Sequence, residues 1–211
     1  MKLPDTLVDE LRRTAPVHTV LLYGSFARGD ATRESDIDVA GFADVPGTRR
    51  DARCLGGLFL DAFVYPTECA TAPPSDELRK LRGAQVLLDE RGLAGPLLAA
   101  LDALEEAPPP PLDDDARQTL RVWAHKTLAR IARDDLEAHY RRHWLLMQLL
   151  EDHFALAGRW YPGPKLALAG LAREQPALHA AFAAALHPAA ELPAIAALVE
   201  RVVGDLDAAE R

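Results

Sequence analysis

Two carboxylates two residues apart, Asp36 and Asp38, open the apolar run "DIDVAGF". Residues i and i+2 of a strand share a face, so on a strand both acids point the same way. Adjacent carboxylates repel, and they stay ionised together most comfortably with a cation between them. Hard oxygen ligands of this kind favour magnesium, which binds through a few carboxylates while keeping waters and substrate phosphates. A third acid, Asp61, interrupts the apolar run "GLFLDAFVY" and would complete such a site from a neighbouring strand. The segment just upstream, "YGSFARGD", supplies a complementary half. Gly24 lets the backbone approach a ligand closely, and a helix starting at Ser25 would offer free N–H groups to phosphate. The Ser25 hydroxyl adds a hydrogen bond and Arg28 adds charge. A phosphate cradle beside a carboxylate cluster implies a metal–nucleotide site.

These residues need strands and turns to hold them, and the apolar pattern supplies both. Strands are expected at Thr19–Tyr23, Ile37–Phe42, Leu58–Val64 and Gln85–Leu88, each rich in Val, Leu, Ile or Phe and bounded by Gly, Pro or Asp. Helices are expected at Asp5–Thr14, Ser75–Arg82 and Leu93–Leu104. "EEAPPPPLDDD" then breaks the pattern, because four consecutive prolines cannot continue a helix and favour an extended, semi-rigid linker. Beyond it the residues are almost wholly helix-forming, with helices expected from Asp113 to about Arg133 and from Asp135 to Ala157. Three aspartates at 113–115 suit the positive end of a helix dipole. The expected architecture is α/β (α+β): a mixed sheet with helices over residues 1–106, a Pro-rich linker over 107–112, and an all-helical bundle over 113–211.

The chain has 211 residues, 49% of them hydrophobic, with a formal net charge of −8 and a pI near 5.4. That balance gives ample material for a core and argues against a surface built to grip nucleic-acid backbone. No stretch approaches the roughly 18 apolar residues that span a bilayer, and the charged N-terminus lacks the apolar core of a signal peptide. The expectation is a soluble cytoplasmic protein. The two cysteines, Cys54 and Cys69, show neither metal-ligand spacing nor a disulfide framework.

"GSFARGDATRESDID" resembles the signature of the polymerase-β-like nucleotidyltransferase superfamily: Gly24-Ser25, then Gly29, then Ser35-Asp36-x-Asp38. It is similar to the minimal bacterial branch that includes antibiotic nucleotidyltransferases and the nucleotidyltransferase partners of toxin–antitoxin pairs. "LFLDAFVYP" resembles the strand carrying that family's third carboxylate, and the close resemblance spans about residues 18 to 66. It implies transfer of a nucleoside monophosphate from a nucleoside triphosphate to an acceptor, with two magnesium ions held by Asp36, Asp38 and Asp61. Asp61 would also orient or deprotonate the acceptor hydroxyl. Gly24, Ser25, Arg28 and Ser35 would bind the nucleotide. "GRWYPGPK" resembles a turn of related helical domains, which implies Lys165 at the triphosphate and Trp160 or Tyr161 beside the base or acceptor. The resemblance implies a small acceptor, and the acidic net charge adds a cationic, aminoglycoside-like molecule as the attractive choice. The other branch implies an antitoxin that binds and nucleotidylates a toxin protein. Self-association around shared clefts is left open.

Other residues are weighed more blandly. Glu137, Glu151 and Asp152 are candidates for an extra base from the helical half, although acids on helices are mostly solvated. His139 and His143 have i, i+4 spacing without a HExxH pattern or a third ligand, and they read with His153 as surface or packing residues. "RDDLEAH" matches an Arg-x4–6-His signature of helical ribonuclease domains, but the same spacing recurs at Arg12–His18 and Arg173–His179 and carries little weight.

Overall fold

The structure, a computed structural model, describes residues 7–206. The chain forms two compact units, Met1–Ala107 and Pro108–Arg211. The first contains, in chain order, α1 (Leu7–Arg12), β1 (Thr19–Tyr23), α2 (Gly24–Arg28), β2 (Ile37–Ala43), β3 (Arg49–Leu55), β4 (Leu58–Pro66), α3 (Glu68–Thr71), a 3-10 helix (Asp76–Leu81), β5 (Gln85–Asp89) and α4 (Ala94–Glu106). The strands lie in the order β3-β4-β2-β1-β5; β2 and β4 run parallel, and the other adjacent pairs are antiparallel. The α/β class expected from the sequence is the one observed. The expected first helix begins within the described residues at Leu7; its proposed start at Asp5 lies outside them.

Alternation places one core on each side of the sheet. Val20, Leu22, Ile37, Val39, Leu60 and Ala62 face one way, against Leu7 and Leu11 of α1. Leu21, Tyr23, Ala40, Phe42 and Tyr65 face the other, against Leu78 and Leu81 of the 3-10 helix and Leu97 and Leu101 of α4. Every residue of β1 is buried, which is why "TVLLY" reads as an uninterrupted apolar run rather than an alternating one.

β3 was not expected. Its sequence, "RRDARCL", is charged at four of seven positions, and its side chains are at most half-buried. It is an edge strand, where charge blunts the unpaired backbone instead of filling a core. A hairpin turn at Gly56-Gly57, with φ of +58° and +84°, returns the chain so that Leu55 faces Leu58. Two residues with positive φ suit the right-handed twist of the flanking strands. A second difference is helical type: the expected helix at Ser75–Arg82 is a 3-10 helix over Asp76–Leu81. Cys54 and Cys69 are free thiols. Among the described residues, no helix is long and apolar enough to cross a membrane.

The second unit is α5 (Asp114–Ile131), α6 (Leu136–Leu156), α7 (Pro164–Glu174), α8 (Pro176–Leu186) and α9 (Leu192–Val203). Asp113 and Asp135 cap the first two helices, accepting the backbone N–H of Ala116 at 2.7 Å and of Ala138 at 2.8 Å. Pro164 and Pro176 start α7 and α8, where a missing N–H costs nothing. Leu145, Leu149, Phe154, Leu171, Phe182 and Leu198 are among the residues that fill the core.

Asp152 sits inside this core, 2% exposed. Its Oδ1 accepts from Gln148 Nε2 at 2.9 Å, and its Oδ2 has no partner among the described residues. It is enclosed, not solvated, and burial pushes its carboxyl above the usual range. An unsatisfied buried polar group costs about 1–3 kcal/mol. Asp152→Asn keeps the shape and the Gln148 contact and removes the buried charge, so it should raise the melting temperature at pH 7. The native state prefers the protonated acid, so the cost is absent below the unfolded carboxyl range and grows as pH rises through it towards the elevated native value. Thermal melts at pH 7 and near pH 3.5 test this: the gain should be present in the first and closed in the second.

Candidate active site

Parallel pairing of β2 with β4 sets Ile37 beside Leu60 and Asp38 beside Asp61. Ile37 and Leu60 are fully buried in one core, so Asp38 and Asp61 emerge together on the opposite face. Asp36 stands exposed just ahead of β2, so only Asp38 of the sequence pair lies within a strand. Asp38 feels the other two acids. The Asp38 carboxyl is pushed up to about 6, first by desolvation, then by Asp36 and Asp61, with Arg28 and Lys80 pulling the other way. The Tyr23 phenol, which lies opposite Asp38 in the antiparallel register, is also raised, first by burial and then by Asp38 and Asp61.

Gly24 closes the second side. Its φ is +72°, and a Cβ built there would lie 2.1 Å from Asp38 Oδ2. The backbone between β1 and α2 therefore runs directly against the carboxylate, an approach only glycine permits. Gly29, with φ of +79°, ends α2 in the left-handed conformation after five residues. Ser25 is buried in this turn, and Arg28 pairs with Asp30 at 3.3 Å. The structure thus gathers Gly24, Ser25, Arg28, Asp36, Asp38 and Asp61 at one end of the sheet. Ser35 is nearby in sequence, but its hydroxyl accepts the Thr32 N–H at 2.8 Å within the loop. Lys165 is in the second unit, exposed in the first turn of α7. In that unit Tyr161 packs edge-on to Phe154, with ring centroids 5.7 Å apart.

Two residues escaped the sequence reading. Arg50 on β3 grips Asp61 with two hydrogen bonds, Nε to Oδ1 at 2.7 Å and a terminal guanidinium nitrogen to Oδ2 at 2.9 Å. Its guanidinium lies 5.3 Å from the centre of the Phe63 ring. Lys80, from the 3-10 helix, holds its Nζ 3.7 Å from the same ring centre, and 5.8 and 5.7 Å from those of Tyr23 and Tyr65. Burial lowers the Lys80 ammonium below its ordinary range, while Glu77, Asp61 and Asp38 pull it back up. No signal in "RRDARC" or "ELRKLR" separates these cations from solvated surface charge.

Among the described residues, no three His, Cys, Asp or Glu side chains are gathered closely enough to hold a metal ion, and Arg50 fills the Asp61 fork. The donors nonetheless suit a hard divalent cation. All are carboxylates, Asp38 and Asp61 are in register, and the Asp38 carboxyl is raised first by desolvation and then by its acidic neighbours, an unfavourable charge that a cation would offset.

The first unit is thus an α/β unit with paired aspartates on neighbouring strands and a glycine–serine turn pressed against one of them. Residues 4–96 match the family model of the nucleotidyltransferase domain. The protein is similar in structure to a nucleotidyltransferase-like protein from Exiguobacterium sibiricum 255-15, with 11% identity and a TM-score of 0.41 over 94% of this chain and 74% of that one. A likeness that slight carries no chemistry. No curated protein matches the sequence significantly.

Proposed function

We propose that the protein transfers a nucleoside monophosphate from a magnesium-bound nucleoside triphosphate to a hydroxyl of a small acceptor. The observation that carries this reading is the in-register pair Asp38–Asp61 with the Gly24 backbone closed against Asp38. The acceptor oxygen forms a bond to the α-phosphorus, the bond to the β-phosphate oxygen breaks, and pyrophosphate leaves. Asp36, Asp38 and Asp61 would hold the magnesium, whose chemistry when bound is neutralisation of charge on the attacking and leaving oxygens. Gly24 and Ser25 present backbone to the triphosphate at the β1–α2 turn, and Arg28 adds charge there. Asp61 orients the acceptor hydroxyl and takes its proton. The protein's own contribution is positioning and electrostatics, with no covalent intermediate on a side chain. In the same reading residues 1–106 are the catalytic domain, 107–112 the linker and 113–211 a helical domain. Ser35 and Lys165 are assigned to the nucleotide on the family resemblance alone.

Titration calorimetry with ATP, GTP, CTP and UTP, with and without magnesium, tests this proposal. One triphosphate should bind in a magnesium-dependent way, and the Asp36→Asn/Asp38→Asn variant should lose that binding. A well-folded wild type that binds none of them defeats the enzyme reading. That result would favour the antitoxin-type alternative, in which the protein acts by binding a partner. One observation supports the alternative: Leu136, Tyr140, Trp144 and Met147 lie along α6 at near-helical spacing and are all exposed.

A further inference from the structure

The net charge of −8 would favour a cationic acceptor, but the charges beside Asp61 differ from those of the chain as a whole. Arg50 and Lys80 flank the Phe63 ring on the face that carries Asp38 and Asp61. The strand order puts Arg50 across the site from the glycine–serine turn, while Lys80 reaches over the ring of Phe63 from the 3-10 helix, with Tyr23 on its other side. That turn follows β1, Asp38 lies on the adjacent β2, Asp61 on β4 beyond it, and Arg50 on the edge strand β3. A triphosphate at Gly24-Ser25 therefore leaves the Arg50 side for the acceptor.

Charge balance then restricts what the acceptor is. Asp36, Asp38, Asp61 and Glu77 face Arg50, Lys80 and the Asp30-paired Arg28. Glu77 also accepts a hydrogen bond from the Tyr65 hydroxyl at 3.0 Å. Among the described residues, the Arg50 guanidinium donates to Asp61 alone. With a divalent cation on Asp61, the Arg50 guanidinium would be released and would stand, with Lys80, as a cation on an aromatic wall. An arginine fork matches a planar or tetrahedral oxyanion in two-point geometry. A cationic acceptor would meet two like charges there instead.

We propose that Arg50 and Lys80 are specificity-determining residues that bind an anionic group, phosphate or carboxylate, carried by the acceptor next to its reacting hydroxyl. This inference rests on the nucleotidyl-transfer reading above and narrows its acceptor. It sets aside polyamine-type acceptors in favour of hydroxylated anions.

The test uses the full chain, magnesium and a triphosphate analogue with a non-transferable α,β-methylene bridge. Calorimetry then follows the binding of glycerol 3-phosphate, glycerol and kanamycin as anionic, neutral and cationic hydroxyl probes. Wild type should bind the anionic probe best. Arg50→Gln and Lys80→Gln should each weaken that probe on the order of tenfold, with Lys80→Arg retaining most of the affinity and Arg50→Lys only part of it, since an ammonium cannot reproduce the two-point fork. The triphosphate analogue should bind all five proteins with similar affinity. Preference for kanamycin, or anionic-probe affinity unchanged in both Gln variants, overturns the inference and leaves nucleotidyl transfer standing. Loss of analogue affinity in the Gln variants also overturns it, since the cations would then serve the triphosphate. Failure of wild type to bind the analogue with magnesium overturns the underlying reading and this inference together.

Discussion

Gly24→Ala should destabilise the protein by about 2–4 kcal/mol and abolish magnesium-dependent triphosphate binding. Two independent costs combine at this position. The φ of +72° is one that L side chains rarely adopt, and the new methyl would sit 2.1 Å from Asp38 Oδ2 and 3.0 Å from its Cγ. Neither the turn nor the acid can yield freely. Asp38 is fixed by β2, which pairs with β1 on one side and β4 on the other. Rotating its carboxylate away from Gly24 would leave the backbone register intact but turn the acid out of its place beside Asp61. Gly29 supplies the control. It has a similar φ of +79° but nothing within 4 Å of a built Cβ, so Gly29→Ala should cost only about 1 kcal/mol and leave binding largely intact. Thermal melts and calorimetry on the two variants separate backbone strain from closure of the site. Equal losses in both would mean that the turn conformation matters and the contact with Asp38 does not.

Much of the arrangement was legible in the sequence because it rests on short apolar runs bounded by Gly, Pro or Asp. "TVLLY", "IDVAGFA" and "LFLDAFVYP" each carry enough buried aliphatic residues to be seen as strands, and Asp38 and Asp61 stand out as acids in apolar runs. Gly24-Ser25 was legible because a glycine at the end of a buried strand marks a turn with unusual φ. What stayed hidden lies at the edge. β3 buries little, so its residues follow charge and solubility rather than apolar periodicity, and Arg50 is indistinguishable in sequence from its neighbour Arg49. Its role comes from a pairing register that no local pattern encodes: Arg50 lies opposite Phe63, one residue pair from Ala52 opposite Asp61 along the same face. Lys80 was hidden for a related reason. It sits on a 3-10 helix, whose three-residue turn aims side chains differently from the α-helix expected there. The acidic net charge likewise averaged over the whole chain and missed two cations at one carboxylate.

Asp38→Asn should make the protein more stable and less able to bind nucleotide, the mark of a residue retained for function against the interest of the fold. Carrying a carboxyl from 3.8 to about 6 corresponds to at most about 3 kcal/mol of unfavourable charge at neutral pH, and solvent screening at a half-buried position reduces that to about 1–2 kcal/mol. The sign follows from proton uptake. The native acid holds its proton more tightly than the unfolded one, so wild-type stability falls as pH rises from about 4 to about 6 and is flat above. The asparagine variant lacks that slope. In a chelator, its melting temperature should exceed wild type at pH 7 and match it near pH 3.5. Magnesium reverses the order: the cation binds the folded wild type and stabilises it by mass action, whereas the variant has lost a central ligand and should bind magnesium-triphosphate on the order of a hundredfold more weakly. Melts in chelator and in magnesium-triphosphate therefore cross. A wild type that is no less stable than the variant in chelator would show that the repulsion among Asp36, Asp38 and Asp61 is already relieved by Arg50, Arg28 and Lys80. The carboxylates would then be a balanced ion-pair network, with no charge left over to draw in a cation.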